Sequence, residues 1–189
     1  MSKGHRSGRD PGWRIPLSGM LPLPQLGMAR LKKQGRLDGL TLTRILFLSF
    51  VFALLAFWLV LMVRAPWDGG DEGWIPWAVG GYGLASVAIV WSILRRPLDG
   101  ASNQTALAGA WRTRFFLAVA FAETAALVGF VGVILTQSLW VYFLGLVFSL
   151  FDLWLLAPSA RNLDRDQERL REAGSSLSLR RALSGARRR

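Results

Sequence analysis

Two carboxylates stand where a carboxylate is costly to place. Glu123 lies within the apolar run Phe115–Leu135 and Asp152 within the run Leu139–Ala157, and neither run contains a basic residue. Apolar surroundings disfavour the charged form of a carboxyl, so such a group either keeps a proton or finds hydrogen-bonding partners. Glu123 follows Arg114 by nine residues, and Asp152 precedes Arg161 by nine. At ~1.5 Å of rise per helical residue, each lies roughly 13 Å from the basic groups bounding its run. Two carboxyls at one depth on adjacent antiparallel helices could face one another, and their mutual repulsion would keep at least one protonated at neutral pH. The chemistry on offer is that of a proton or cation site. A protonated carboxyl that merely hydrogen-bonds a neighbouring helix has the same signature, so both readings stand for Glu123. Asp152 shares its face with Ser149 and Gly145, which favours a structural hydrogen bond there.

Other chemistries find little support. The chain has no cysteine and one histidine, His5, which removes thiolate catalysis and the usual zinc ligand sets. No nucleophile–base pair is visible, so no catalytic residue, metal or cofactor is assigned and an intramembrane enzyme is disfavoured. Asp68, Asp71 and Glu72 in the loop APWDGGDEG invite a calcium reading. Calcium takes six or more oxygens, and three carboxylates among glycines are expected simply to be solvated. A net charge of +11, from 23 Lys and Arg against 12 Asp and Glu, would suit nucleic acid. The positive charge lies outside the apolar runs, as membrane topology requires, so no nucleic-acid partner is expected.

The elements that must position these carboxyls are four apolar runs, at about 45–63, 74–94, 115–135 and 139–157. Crossing a bilayer takes about 20 such residues. The predicted fold is all-α and transmembrane, a four-helix membrane bundle of two antiparallel hairpins over residues 45–157, flanked by basic cytoplasmic tails. Only Thr136, Gln137 and Ser138 join the last two runs, which makes them a hairpin. Residues 1–44 are polar, basic and broken by Pro11, Pro16, Pro22 and Pro24, a composition expected to stay disordered. Met20 and Met28 are alternative starts. Val63-Arg64-Ala65 mimics a cleavage site, but the following Pro66 and the length of the run favour a retained anchor. Residues 158–189 read as a charged tail. Within it Arg161–Ala173 is a solvated helix with i,i+3 pairs Glu168–Arg171 and Asp166–Arg169, ending at Gly174.

Orientation follows from the placement of Lys and Arg. The amino tail through Arg44 carries nine, the central loop four and the carboxyl tail nine, whereas Arg64 stands alone on the other side. Both termini and the central loop are therefore expected in the cytoplasm of a multi-pass protein of the plasma membrane, bacterial in character. Trp67, Trp74, Trp77, Trp140 and Tyr142 mark the outer interface. The expected partners are the lipid bilayer and, through the basic tails, anionic lipid at the cytoplasmic face. Small residues supply helix-packing faces: Gly80, Gly81 and Gly83 on the second run, and Ala118, Ala122, Ala126 and Gly129 (with Gly132) on the third. Close approach of these two helices would set Glu123 against a thin neighbour, and such faces also suit a homo-oligomer.

A glycine-bearing helix, a loop opening on Arg96-Pro97 and a helix reading RTRFFLAVAFAETAALVGFVGVIL together resemble the hairpin of subunit c, the proteolipid of rotary ATP synthases. The matching residues are Ala122, Glu123, Ala125, Ala126, Leu127, Gly129 and Phe130, and the resemblance spans roughly residues 74–135. It implies that Glu123 occupies the place of the ion-binding carboxylate. The glycine helix is only GGYG, Tyr82 and Trp91 are bulky, and the first and fourth runs are additional. The resemblance therefore implies a proteolipid-like membrane protein with a protonatable Glu123, not a working rotor subunit. The competing expectation is a non-catalytic membrane scaffold whose basic tails recruit lipid or a partner protein.

Overall fold

The structure, a computed structural model, describes Trp13 and residues 38–64, 69–70, 73–98 and 102–184. The proline-broken amino tail with Lys32, Lys33 and Arg36, and the loop carboxylates Asp68, Asp71 and Glu72, lie outside the described residues. Every regular element among the described residues is helical. They are α1 (Gly39–Val63), α2 (Ile75–Arg95), α3 (Gln104–Thr136), α4 (Trp140–Leu156), α5 (Ala160–Glu172) and α6 (Leu179–Ser184).

The helix starts follow local side-chain chemistry. The Asp38 carboxylate accepts the Thr41 N–H at 2.7 Å, and the Asn103 side chain accepts the Ala106 N–H at 2.9 Å. Each satisfies one of the amide donors left free at a helix start. Asn103 explains why α3 begins eleven residues before the apolar run at Phe115. Hydropathy sees only the part of that helix meant for lipid, and the polar first turns continue the same backbone. At its other end Gln137 adopts a left-handed backbone (φ 54°) and turns the chain directly into α4.

α1, α2 and α3 are each long and apolar enough to cross a membrane, and α4 with α5 counts as a fourth only as a bent pair with a 58° break. α4 alone has 17 residues, about 25 Å of helix, at the lower limit for a hydrocarbon core of ~30 Å. Many large apolar side chains on these helices face outward, among them Phe52, Leu59, Leu84, Val131, Val147 and Trp154. In water that surface would be a liability; in lipid it costs nothing.

α2, α3 and α4 pack on one another, while α1 packs against α3, α4 and α6 rather than pairing with α2. The seam between α3 and α4 brings backbones together. A Cβ at Gly145 would collide with the carbonyl of Ala125, and one at Gly129 would lie 3.1 Å from the Val141 carbonyl and 3.2 Å from the Gly145 Cα. α1 instead rests on rings, Phe47 against Phe115 at 6.5 Å and Phe57 against Phe130 at 5.5 Å between centroids. Polar bonds to described residues help to hold it: Tyr142 Oη donates to the Leu54 carbonyl at 2.6 Å, and buried Arg44 donates from Nε to the Pro158 carbonyl at 3.1 Å.

The carboxyl segment differs from the solvated tail expected of its composition. Leu163, Leu170, Leu179 and Leu183 are all buried, and Gln167 clips the chain after Gly174 by accepting the Leu179 N–H at 2.7 Å and donating to the Leu177 carbonyl at 3.1 Å. Asp166 pairs with Arg114 of α3 instead of with Arg169, whose guanidinium donates to the Leu94 carbonyl of α2 at 2.7 Å. α5 therefore lies across the ends of α2 and α3. Gly174, at φ 78°, ends the helix as expected, because an αL position after the last turn suits glycine.

Candidate functional site

The two intramembrane carboxyls have different surroundings. Asp152 on α4 is fully buried, at 0% exposure, where α4 meets α2 and α3. Ser86 of α2 reaches it: Ser86 Oγ lies 2.7 Å from Asp152 Oδ2 and 3.0 Å from the carbonyl oxygen of Phe121 on α3. One turn earlier on α4, the Ser149 hydroxyl accepts the Ala126 N–H at 3.0 Å and donates to the Ala122 carbonyl. Ser149 thus bridges one backbone step of α3 from the side. Gly145, one turn earlier again, gives the close approach that lets these short side chains reach.

A serine hydroxyl carries one proton, yet that of Ser86 stands between two acceptors, a carbonyl and a carboxyl oxygen. Both contacts are full hydrogen bonds only when Asp152 supplies the second proton. Asp152 Oδ2–H then donates to Ser86 Oγ, and Ser86 Oγ–H donates to the Phe121 carbonyl. Asp152 has no ion pair among the described residues, and its Oδ1 has no hydrogen-bond partner. Leaving a neutral carbonyl-type oxygen unpaired costs about 1–3 kcal/mol, and a buried carboxylate would cost more. The neutral acid fits this site better than its anion.

Glu123 follows Phe121 by two residues on α3 but belongs to another flank. It precedes Phe130 by seven residues, two turns, and so shares the face of α3 that meets Phe57 of α1. Its side chain is half-buried and makes no hydrogen bond or ion pair among the described residues. The structure brings Asp152 to Ser86, and does not bring it into hydrogen bonding with Glu123. Sequence reasoning named both carboxyls but missed Ser86 as the partner; a hydroxyl in the middle of an apolar run, with alanines at 85 and 88, was the available signal.

The small residues take up different places as well. Ala118, Ala122, Ala126 and Gly129 are all buried in α3. On α2, Gly83 lies under the ring of Phe148 and Gly80 lies nearest Leu144, both residues of α4, while Gly81 has open space around it. The glycines of α2 therefore admit bulky side chains of α4 and do not bring α2 close to α3 at Glu123.

Among the described residues, fold and site together define an all-helical protein with three helices long and apolar enough to cross a membrane, or four if the bent pair is one span, and a carboxyl sealed in its core. Among the described residues no three His, Cys, Asp or Glu side chains gather as a metal site would require. Comparison of the chain with family models, with curated proteins and with solved structures returns no match.

Proposed function

We propose that this is a small, non-catalytic, proteolipid-like protein of the plasma membrane that holds a proton on a carboxyl inside its helical core, with both termini in the cytoplasm. Asp152, not Glu123, is the better-supported holder. The observation that carries this is the position of the Ser86 hydroxyl between Asp152 and the Phe121 carbonyl, which calls for one more proton than serine owns. A proton kept there joins α2, α3 and α4 through one chain of hydrogen bonds. Infrared spectroscopy of the purified protein in lipid tests it. A protonated carboxylic acid band is expected at neutral pH, lost in Asp152→Asn and altered in frequency in Ser86→Ala. A spectrum of Asp152→Asn that keeps the wild-type acid band would sink the assignment.

A second reading is favoured by one observation, the lack of a hydrogen-bond or ion-pair partner for Glu123 among the described residues, on a half-buried face of α3. In that reading the carboxyl exposed on this flank titrates and is completed by a second copy of the chain. Carbodiimide labelling of membrane-embedded protein separates the two carboxyls. Modification mapped to Glu123, abolished in Glu123→Gln and slowed when the protein associates, supports the second reading; an unreactive Glu123 ends it. If neither carboxyl carries function, the protein is a membrane scaffold, and its cytoplasmic basic surface is the part to pursue.

A further inference from the structure

At the end of the bundle where α2 and α4 stop, α5 closes over a cavity of about 90 Å³. Its walls come from four helices: Trp91 and Arg95 of α2, Trp111 and Arg114 of α3, the last turn of α4, and Arg165, Asp166 and Arg169 of α5. Four guanidinium groups meet one carboxylate there, leaving a formal charge of +3. The inner pair is already positioned. Arg114 is held by Asp166, which also accepts the Trp111 Nε1–H at 2.9 Å, and Arg169 is held by the Leu94 carbonyl at 2.7 Å. Each guanidinium has five N–H donors, so these anchors leave further donors. The outer pair is exposed: the Arg95 guanidinium carbon lies over the Trp91 ring, 3.6 Å from its centroid, and Arg165 makes no hydrogen bond or ion pair of its own among the described residues.

We infer that this cavity binds a phosphate group, and that an anionic phospholipid is the source that suits it best. A volume of about 90 Å³ accepts a single tetrahedral anion but not a large headgroup. Several guanidinium forks around one site match the oxygens of a phosphate better than those of a carboxylate. Trp91 is 52% exposed and Leu94, Leu155 and Leu156 complete the wall, so the basic cavity adjoins apolar surface of the kind that acyl chains cover. Basic pockets between membrane helices, at headgroup level, are suited to anionic lipid. A zwitterionic headgroup would bring a cation to a site of charge +3 and is disfavoured. This inference is independent of the proton reading of Asp152.

The test uses the full chain in detergent, with native mass spectrometry as readout and three probes: phosphatidylglycerol, phosphatidylcholine of the same acyl chains, and inorganic phosphate. Arg95→Gln with Arg165→Gln removes the two outer guanidiniums, neither of which donates to the protein's backbone. Arg161→Gln with Arg181→Gln removes equal charge from exposed positions outside the cavity. Wild type is expected to retain phosphatidylglycerol in preference to phosphatidylcholine. The first double variant should bind it at least about tenfold more weakly, the scale of one lost charge-assisted hydrogen bond, while the second binds as wild type. If inorganic phosphate binds with the same dependence on Arg95 and Arg165 and the lipid does not, the site stands and its source is free phosphate. Equal weakening by both variants, or the absence of any Arg95- and Arg165-dependent binding of either the anionic lipid or inorganic phosphate, would overturn the inference.

Discussion

α3 and α4 meet along glycines, and α1 meets the same two helices along rings. In the first seam Gly129 and Gly145 put backbone on backbone, and the gain is dispersion over many short contacts. In the second, Phe47, Phe57 and Leu54 hold α1 at side-chain length, and polar bonds from Tyr142 and Arg44 fix its position. Yet α1 is the more apolar segment, with no charge between Ile45 and Val63. Hydropathy decides whether a helix enters lipid; the distribution of small and polar residues decides what it touches there. Lipid tails solvate a leucine as well as another leucine does, so apolar surface alone gives no helix a partner.

Substitutions can break this contrast in order of size. Gly145→Val should be the most damaging, because the new side chain meets the Ala125 carbonyl and the Gly129 backbone, neither of which can step aside. A loss of about 3 kcal/mol or more is expected, at the upper end for overpacking, read as a large fall in thermal unfolding temperature in detergent. An unchanged midpoint would mean the seam is looser than described. Tyr142→Phe removes one hydroxyl and with it the bond to the Leu54 carbonyl, which keeps only its own helical N–H. A loss of about 1 kcal/mol is expected, with faster hydrogen exchange in α1 and little change in α3 and α4. Exchange that rises evenly through all helices would show that α1 is not a separately held unit. Gly81→Ala should raise stability slightly, by about 0.5 kcal/mol of helix propensity, since no described residue lies within 4 Å of the new methyl. A drop as large as that of Tyr142→Phe would place an unseen neighbour, such as a second copy, against that face of α2.

Much of the architecture was legible because lipid enforces a simple rule. Ile75–Arg95 and Trp140–Leu156 fall within a residue or two of the runs at 74–94 and 139–157. α3 was legible only in part, since its first turns are polar and owe their helicity to Asn103. The docking of α5 was harder to see: Leu163 and Leu170 are its only large apolar residues, and whether two leucines are solvated or buried depends on what lies beneath them. The same limit applies to the carboxyls. Glu123 and Asp152 sit in equally apolar runs, and only the rotation of each helix sends Asp152 to Ser86 and Glu123 to a flank. Ser149 and Gly145 shared a face with Asp152 and carried that information, whereas the local motif around Glu123 pointed toward it on resemblance alone.

The bond between Tyr142 and Leu54 joins residues 88 positions apart, and that between Arg44 and Pro158 joins residues 114 apart. A ribosome makes the chain from its amino end, and earlier segments fold first where they can. α1 cannot be fastened this way early, because the partners in these two bonds, Tyr142 and Pro158, are synthesised after α2 and α3. Of the described helices, the first to be synthesised is thus the last to be secured. It waits alone in lipid, and its unbroken apolar surface is what makes that wait harmless.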